Sequence, residues 1–443
     1  MNIQISEHFD YKKLMCFCAP TIAMMICTSI YGIVDGLFVS NFVGKTAFSA
    51  VNLVWPFLMI MGCFGFMIGT GGSALVAKTL GEGDKDKANR YFTMLIYLSL
   101  GLGTVLSVLG CVFMPSIVKL LGADESMRSD CIIYGRIMVA FNMIFMLQYL
   151  FQSFLTTAAK PNLGFIVTIA AGITNVILDA VFIAVFKWGV AGAAAASVIG
   201  QVVGGVLPLF YFARPNSSLL RIKHTKPELK PLLKACGNGS SELMSNISSS
   251  FVSMLYNFQL MKYAGEDGIA AYGVLMYTWM IFGSVFVGYA IGTAPIISFH
   301  YGAENYDELK GMLKKSVVLM FGGGILMLCA AWTLSAPLSH IFVGYDRELF
   351  ELTKHAFRIF AFSFVMSGFN IFASSFFTAL NNGAISAAIS FLRTLVFQMT
   401  AVLVLPLIFG IDGIWWAMIA AELFALVIST IFIVSKRNRY HYF

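Results

Sequence analysis

Asn175 and Asp179 stand one helical turn apart inside "AGITNVILDAVFIAVFKWGV" (171–190), a stretch apolar enough to lie within a membrane. An ionisable side chain in such a place is costly and marks a candidate functional site. Asp35 lies ten residues before Lys45, Asp179 eight before Lys187, and Ser197 eight after Gly189 in the next apolar run. At 1.5 Å per residue these three side chains share a depth roughly 12–15 Å below one surface. Tyr134 begins a neighbouring run and could approach from above. Two carboxylates, an amide oxygen and a hydroxyl at one depth suit a small cation such as Na⁺, held by Asp35, Asn175 and Asp179. They suit a proton equally, because a dry carboxyl resists ionisation and two together resist it jointly. The plain alternative is that Asn175 and Asp179 only bond to neighbouring helices.

The elements that must position these groups follow from composition. The chain has 443 residues, of which 58% are hydrophobic and 12% charged, against about 25% charged in soluble domains. Runs of about 20 apolar residues cross a bilayer as helices. Twelve spans are expected: 14–40, 48–77, 91–118, 131–158, 163–186, 190–213, 236–261, 269–297, 316–339, 356–380, 384–409 and 411–435. Nineteen Lys and Arg residues fall on the face bearing both termini and seven on the other, so the positive-inside bias places both termini in the cytoplasm. The net charge of +7 is mostly this topogenic charge and needs no nucleic acid. The polar start before a long first span reads as a retained helix rather than a cleaved signal.

Sliding the chain by 221 residues superposes Gly44 on Gly265, Ala50 on Ala271, Gly81 on Gly302, Thr157–Ala158 on Thr378–Ala379, and "GVAG" (189–192) on "GIDG" (410–413). Spans one to six and seven to twelve are therefore two copies of one unit. Because six is even, the copies are parallel, a plan used by transporters that rock two bundles about a midplane cavity. The expected fold is all-α: residues 1–213 form one six-helix bundle, 214–234 a cytoplasmic linker, and 235–443 the second bundle. The repeat maps Asp35, Asn175, Asp179 and Ser197 onto Tyr256, Val396, Thr400 and Met418. The acid site thus belongs to the first bundle alone.

Other intramembrane charges are read less sharply. Arg136 and Arg358 fall at near-equivalent places in the halves, which favours a structural role. Arg393 and Glu422, near mid-depth on consecutive spans, could pair. Glu242 could meet a cationic substrate or cap a helix start. The 24 Met and 14% aromatic residues lend weak support to a pocket for varied organic cations.

"GKT" at 44–46 lacks the first glycine of a nucleotide-binding loop, and the six His residues show no ligand spacing. No enzyme motif, nucleotide site or organic cofactor is expected, and the eight Cys residues read as free, packed thiols.

The pieces "YGIVDGLFVSNFVG" (31–44), "GSALVAKTLGEGDKDKANRYF" (72–92), "SFLTTAAKPNLGF" (153–165), "NVILDAVFI" (175–183) and "YGVLMYTWMIFGSVFVGYAIGTAPIISFHYGA" (272–303) resemble the multidrug and toxic compound extrusion (MATE) family. The likeness is to its bacterial MepA-like branch and runs essentially the whole chain. It implies a monomeric, cell-membrane antiporter that exchanges H⁺ or Na⁺ for organic cations by alternating access. It assigns the cation site to Asp35, Asn175, Asp179, Ser197 and Tyr134, with Ser197 where the family more often has Thr. Pro20 resembles a family proline at which the first span bends. Some relatives carry a second-bundle acid cluster, for which only Glu242 offers itself here. A lipid-linked oligosaccharide flippase of the same superfamily is the alternative, although such proteins have a strongly cationic cavity.

Overall fold

The computed structural model describes residues 3–443, and among these every regular element is helical. The first half comprises α1 (Tyr11–Phe38), extended by a π turn at Val39–Val43, then α2 (Lys45–Gly81) and α3 (Lys85–Leu120). Next, α4 (Glu125–Ala140) and α5 (Asn142–Thr157) form one span bent by 56°. It closes with α6 (Pro161–Asp179), prolonged by a π turn at Ala180–Val185, and α7 (Gly189–Ala213). After the short α8 (Leu229–Asn238) come α9 (Ser240–Gly302) and α10 (Tyr306–Val343). A 3₁₀ turn joins α11 (Arg347–Phe360) to α12 (Phe364–Ala379), and a π turn at Leu392–Phe397 joins α13 (Gly383–Phe391) to α14 (Gln398–Phe409). The chain ends in α15 (Ile411–Tyr440).

Side chains start several of these helices. Asp10, Asp84, Asn305 and Asn382 each accept a hydrogen bond from the backbone N–H three residues on, satisfying a donor the helix leaves open. The 63-residue α9 is two spans rather than one. Tyr256 stacks on Tyr272 with ring centroids 4.9 Å apart, whereas a straight helix would separate them by roughly 24 Å. The chain doubles back at Gly265, whose φ of 62° and ψ of −147° suit a residue without a β-carbon. Counting α9 twice and each bent or π-broken pair once gives twelve spans.

The repeat is visible in the backbone itself. Positive φ recurs 221 residues apart, at Gly44 and Gly265, at Gly83 and Glu304, and at Gly189 and Gly410. The bend at Phe141 is matched by the 3₁₀ turn around Phe362. The helices overrun the expected spans, since α3 starts at Lys85 and α10 at Tyr306, before the expected starts at 91 and 316. The linker departs further from expectation, because α8 begins inside it and ends past residue 234. Leu229, Leu232 and Leu233 give that polar stretch an amphipathic helical period, and Asn238 anchors its end by donating to Thr378 O at 2.8 Å. Upstream, the linker is pinned to α3 where Arg221 N donates to Asn89 Oδ1 at 2.8 Å and Lys223 N to Thr93 Oγ1 at 3.0 Å.

Both termini lie on one face, hereafter the terminal face. Near the amino end, Ile5 and Phe9 are buried. Phe9 N donates to Glu308 Oε1 at 3.0 Å, the His8 ring meets Glu308 Oε2 at 2.5 Å, and Lys315 donates to the Phe9 carbonyl. Lys13 bonds Glu7 and holds its carboxyl below the usual carboxylate range. At the other end, the His441 ring packs 5.0 Å from that of Tyr306.

The two halves are pressed together at this face, backbone on backbone. A β-carbon at Gly81 would lie 2.0 Å from Phe299 O, and one at its repeat partner Gly302 would lie 2.1 Å from Lys78 O. No side chain fits at either place. Gly302→Val should therefore spread the seam. Spin labels at Glu82 and Glu304 would read a distance distribution moved outward, further than in Gly302→Ala. An unchanged distribution would show that the seam tolerates a side chain.

Candidate functional site

Four helices bring the first-half polar groups together. Asp35 comes from α1, Asn175 and Asp179 from α6, Ser197 from α7 and Tyr134 from α4. Gly200 lets α6 and α7 approach, because a β-carbon there would sit 3.0 Å from both Ala171 O and Asn175 Cβ. Across that contact Asn175 Nδ2 donates to Ser197 Oγ at 3.4 Å. Asp35 lies in reach of Asp179 and the Ser197 hydroxyl, and Tyr134 sits beside both acids. Asp179 and Tyr134 are fully buried. Both Asp179 oxygens, Asp35 Oδ1, Asn175 Oδ1 and the Tyr134 hydroxyl have no hydrogen-bond partner among the described residues. The helix changes to π geometry directly after Asp179, a local strain often found at functional positions.

A cavity of about 210 Å³ opens onto Asp35, Asn175 and Ser197. It is also lined by Tyr31, Gln148 and Gln201, which sequence reasoning passed over. The two amides stand in "MLQYL" and "IGQVV" inside apolar spans, with no acid one turn away to mark their helix face as Asp179 marks that of Asn175. Unpartnered oxygens around two acids are hard donors of the kind Na⁺ takes. With one proton shared, the same acids can face each other neutral and singly charged.

A second cavity, of about 460 Å³, lies against the other half and reaches residues of α1, α2 and α5. Met59 and Tyr149 line both cavities. Glu242 projects into the larger one from the first turn of α9 and has no ion-pair partner among the described residues, so it is a cavity group rather than a helix cap. Tyr256 and Met418, the repeat counterparts of Asp35 and Ser197, line this cavity too. Where one half places an acid, the other places a stacked tyrosine pair.

Arg393 and Glu422 do pair. Arg393 Nη2 donates to Glu422 Oε1 at 2.7 Å, and Nε bridges both carboxylate oxygens at 3.0 and 3.1 Å. Asn370 Nδ2 adds a donor to Glu422 Oε2 at 2.7 Å. Arg136 and Arg358 line neither cavity. Arg136 is exposed and its Nε donates to Cys111 O at 3.3 Å. Arg358 is exposed over the Trp332 ring, while Trp332 Nε1 donates to Arg358 O at 3.0 Å. Cys111 Sγ in turn donates to Arg136 O at 3.6 Å, and since Cys111 and Trp332 are 221 residues apart, in each half a side chain of the third span donates to an arginine carbonyl of the fourth. Pro20 lies within an unbroken α1, where it removes one backbone hydrogen bond. All eight Cys residues are unpaired, with Cys16 and Cys329 exposed rather than packed.

Twelve spans in two parallel copies, with one polar pocket in the first copy and a larger cavity between the two, define a polytopic membrane protein of the two-repeat transporter kind. The MatE family model matches residues 20–181 and 243–403, once in each half, and the chain belongs to this family. It is 24% identical to the multidrug export protein MepA of Staphylococcus haemolyticus (strain JCSC1435), over 98% of this chain and 95% of that one. Among solved structures it is similar to a MATE protein in complex with MaL6, with a TM-score of 0.93 and 21% identity over 98% of both chains. It is similar also to an outward-facing multidrug resistance MATE family transporter of the MOP superfamily. That match has a TM-score of 0.92 and 21% identity over 98% of this chain and 97% of that one.

Removing one member of a buried ion pair costs about 3–5 kcal/mol, because the other is left uncompensated. Glu422→Ala should therefore lower the thermal midpoint of the detergent-purified protein clearly. Arg393→Met combined with Glu422→Gln should recover most of the loss. Equal midpoints for Glu422→Ala and wild type would show that the pair does not hold the second half together.

Proposed function

We propose that this protein is a cation-coupled multidrug antiporter. It takes up H⁺ or Na⁺ at Asp35 and Asp179 and exports organic cations from the larger cavity by alternating access. The observation that carries this reading is the unpartnered acid pocket abutting a drug-sized cavity across Met59 and Tyr149. Export by the MepA relatives supports it. The acid pocket, with Asn175, Ser197 and Tyr134 supplying further oxygens, is the coupling-ion site. Glu242 offers the larger cavity a negative charge for a cationic substrate. No organic cofactor enters the cycle.

With both termini cytoplasmic in the cell membrane, the sealed terminal face is the inner gate, and the acid pocket lies toward the outside. Cation binding at Asp35 acts on α1, with Pro20 as its flexible point. The cycle needs only one chain. A flippase is not favoured, because among the described residues a single arginine, Arg393, and no lysine line the larger cavity, far from a strongly cationic lining.

Coupling requires that the ion bind the two states unequally. Protons drawn from outside should drive export, so lowering external pH should accelerate ethidium efflux if H⁺ couples, and a Na⁺ jump should do so if Na⁺ couples. Asp179→Asn, inserted to the same level, should respond at least ten-fold less to whichever jump is effective. Normal stimulated efflux in that variant would remove coupling from this site.

A further inference from the structure

Arg393 is only partly consumed by its ion pair. Its Nε and Nη2 face Glu422, whereas Nη1 has no acceptor among the described residues and is not buried out of reach. The side chain lines the larger cavity, in which Glu242 is the unpaired acid. Their spacing follows from the backbone. A β-carbon at Gly383, where α13 starts, would lie 2.4 Å from Asn238 Cα, so α13 and α9 begin at one level. Glu242 lies four residues beyond Asn238 and Arg393 ten beyond Gly383, which separates them by on the order of 10 Å along the helix axes.

We infer that Arg393 is a specificity residue that recognises an anionic acceptor group on the cargo. The cavity then favours organic ampholytes, whose cationic end meets Glu242 and whose carboxylate meets Arg393 Nη1, over simple cations of the same shape. This rests on the larger cavity being the cargo site of the proposed antiporter. Three features of the structure support it. A guanidinium presents several N–H donors in a fixed fork and can serve two carboxylates at once. Glu422 and Asn370 hold that fork in place, so little ordering is left for the cargo to bring about. The repeat position across the pseudo-axis, Gly172, carries no such group, so the recognition belongs to one wall of the cavity.

Rhodamine 110, with a free carboxylate, and rhodamine 123, its methyl ester, differ at the one group in question. Their binding to purified protein is read by fluorescence polarisation, which does not depend on transport. Wild type should bind rhodamine 110 at least three-fold tighter. That preference should disappear, leaving the two dyes bound about equally, in Arg393→Met/Glu422→Gln, whose neutral pair avoids a stranded charge. Arg358→Gln, outside both cavities, should keep the wild-type preference. An ester bound as tightly as the acid by wild type would overturn the assignment without needing any variant. So would a preference untouched in the double variant. Should the dyes bind as expected while neither is exported by cells, the antiporter reading fails and the Arg393 assignment stands.

Discussion

A carboxylate below the membrane surface must find a partner or give up its charge, and much of this molecule is arranged around that constraint. The two halves answer it in opposite ways. In the second half Glu422 is fully enclosed by Arg393 and Asn370, with its oxygens filled by protein donors. In the first half Asp179 is as deeply buried, yet neither of its oxygens is bonded, and the nearest acid is another carboxyl. A filled site is fixed, whereas an unfilled one responds to whatever ion enters. The two copies of one unit thus treat a buried acid differently, one with its oxygens filled by protein donors and the other with them open.

That unit is set mainly by backbone. Residues 221 apart share positive φ at three turns and share a bend in the fourth span, though few of the side chains around them agree. The Gly81 and Gly302 contacts are the same contact seen from each half. Side chains could diverge once the turns were fixed. This is how Asp35 came to face Tyr256 across the pseudo-axis, and Ser197 to face Met418.

Because the site's geometry rests on helix rise, much of it was legible in the sequence. Counting residues from the turns put Asp35, Asp179 and Ser197 at one depth, and the structure does bring them together. Depth says nothing of azimuth, however. It could not tell that Glu242 points into a cavity while Arg136 points out of the bundle, since that depends on which face of each helix meets its neighbours. Gln148 and Gln201 were missed because their role depends on which face of α5 and α7 meets the pocket. Helix α8 was missed because three leucines in a lysine-rich stretch look like linker until the packing of Asn238 fixes their period. Helix lengths were underestimated for a related reason. Capping by Asp84 and Asn305 carries α3 and α10 well beyond their apolar runs.

One helix links the distant parts. At its terminal end α1 continues from the segment that Glu308 and Lys315 hold against the second half. Further along it packs on α9, where a β-carbon at Gly288 would lie 2.5 Å from Ile22 Cα and one at Gly292 2.9 Å from Cys18 Sγ. Beyond Pro20 it reaches Ser29, whose hydroxyl donates to Met280 O at 3.1 Å, and then Asp35. Asp35 and the inter-half seam are therefore parts of a single helix, which lacks one backbone hydrogen bond at Pro20. Under the proposed coupling, an ion that draws Asp35 toward Asp179 would act on the helix whose terminal-face portion packs against the second half. A helix of this kind can pass a displacement along its length only if its end at the terminal face can let go. The contacts at Gly288 and Gly292 are van der Waals contacts without interlocking side chains, which favours sliding over rupture.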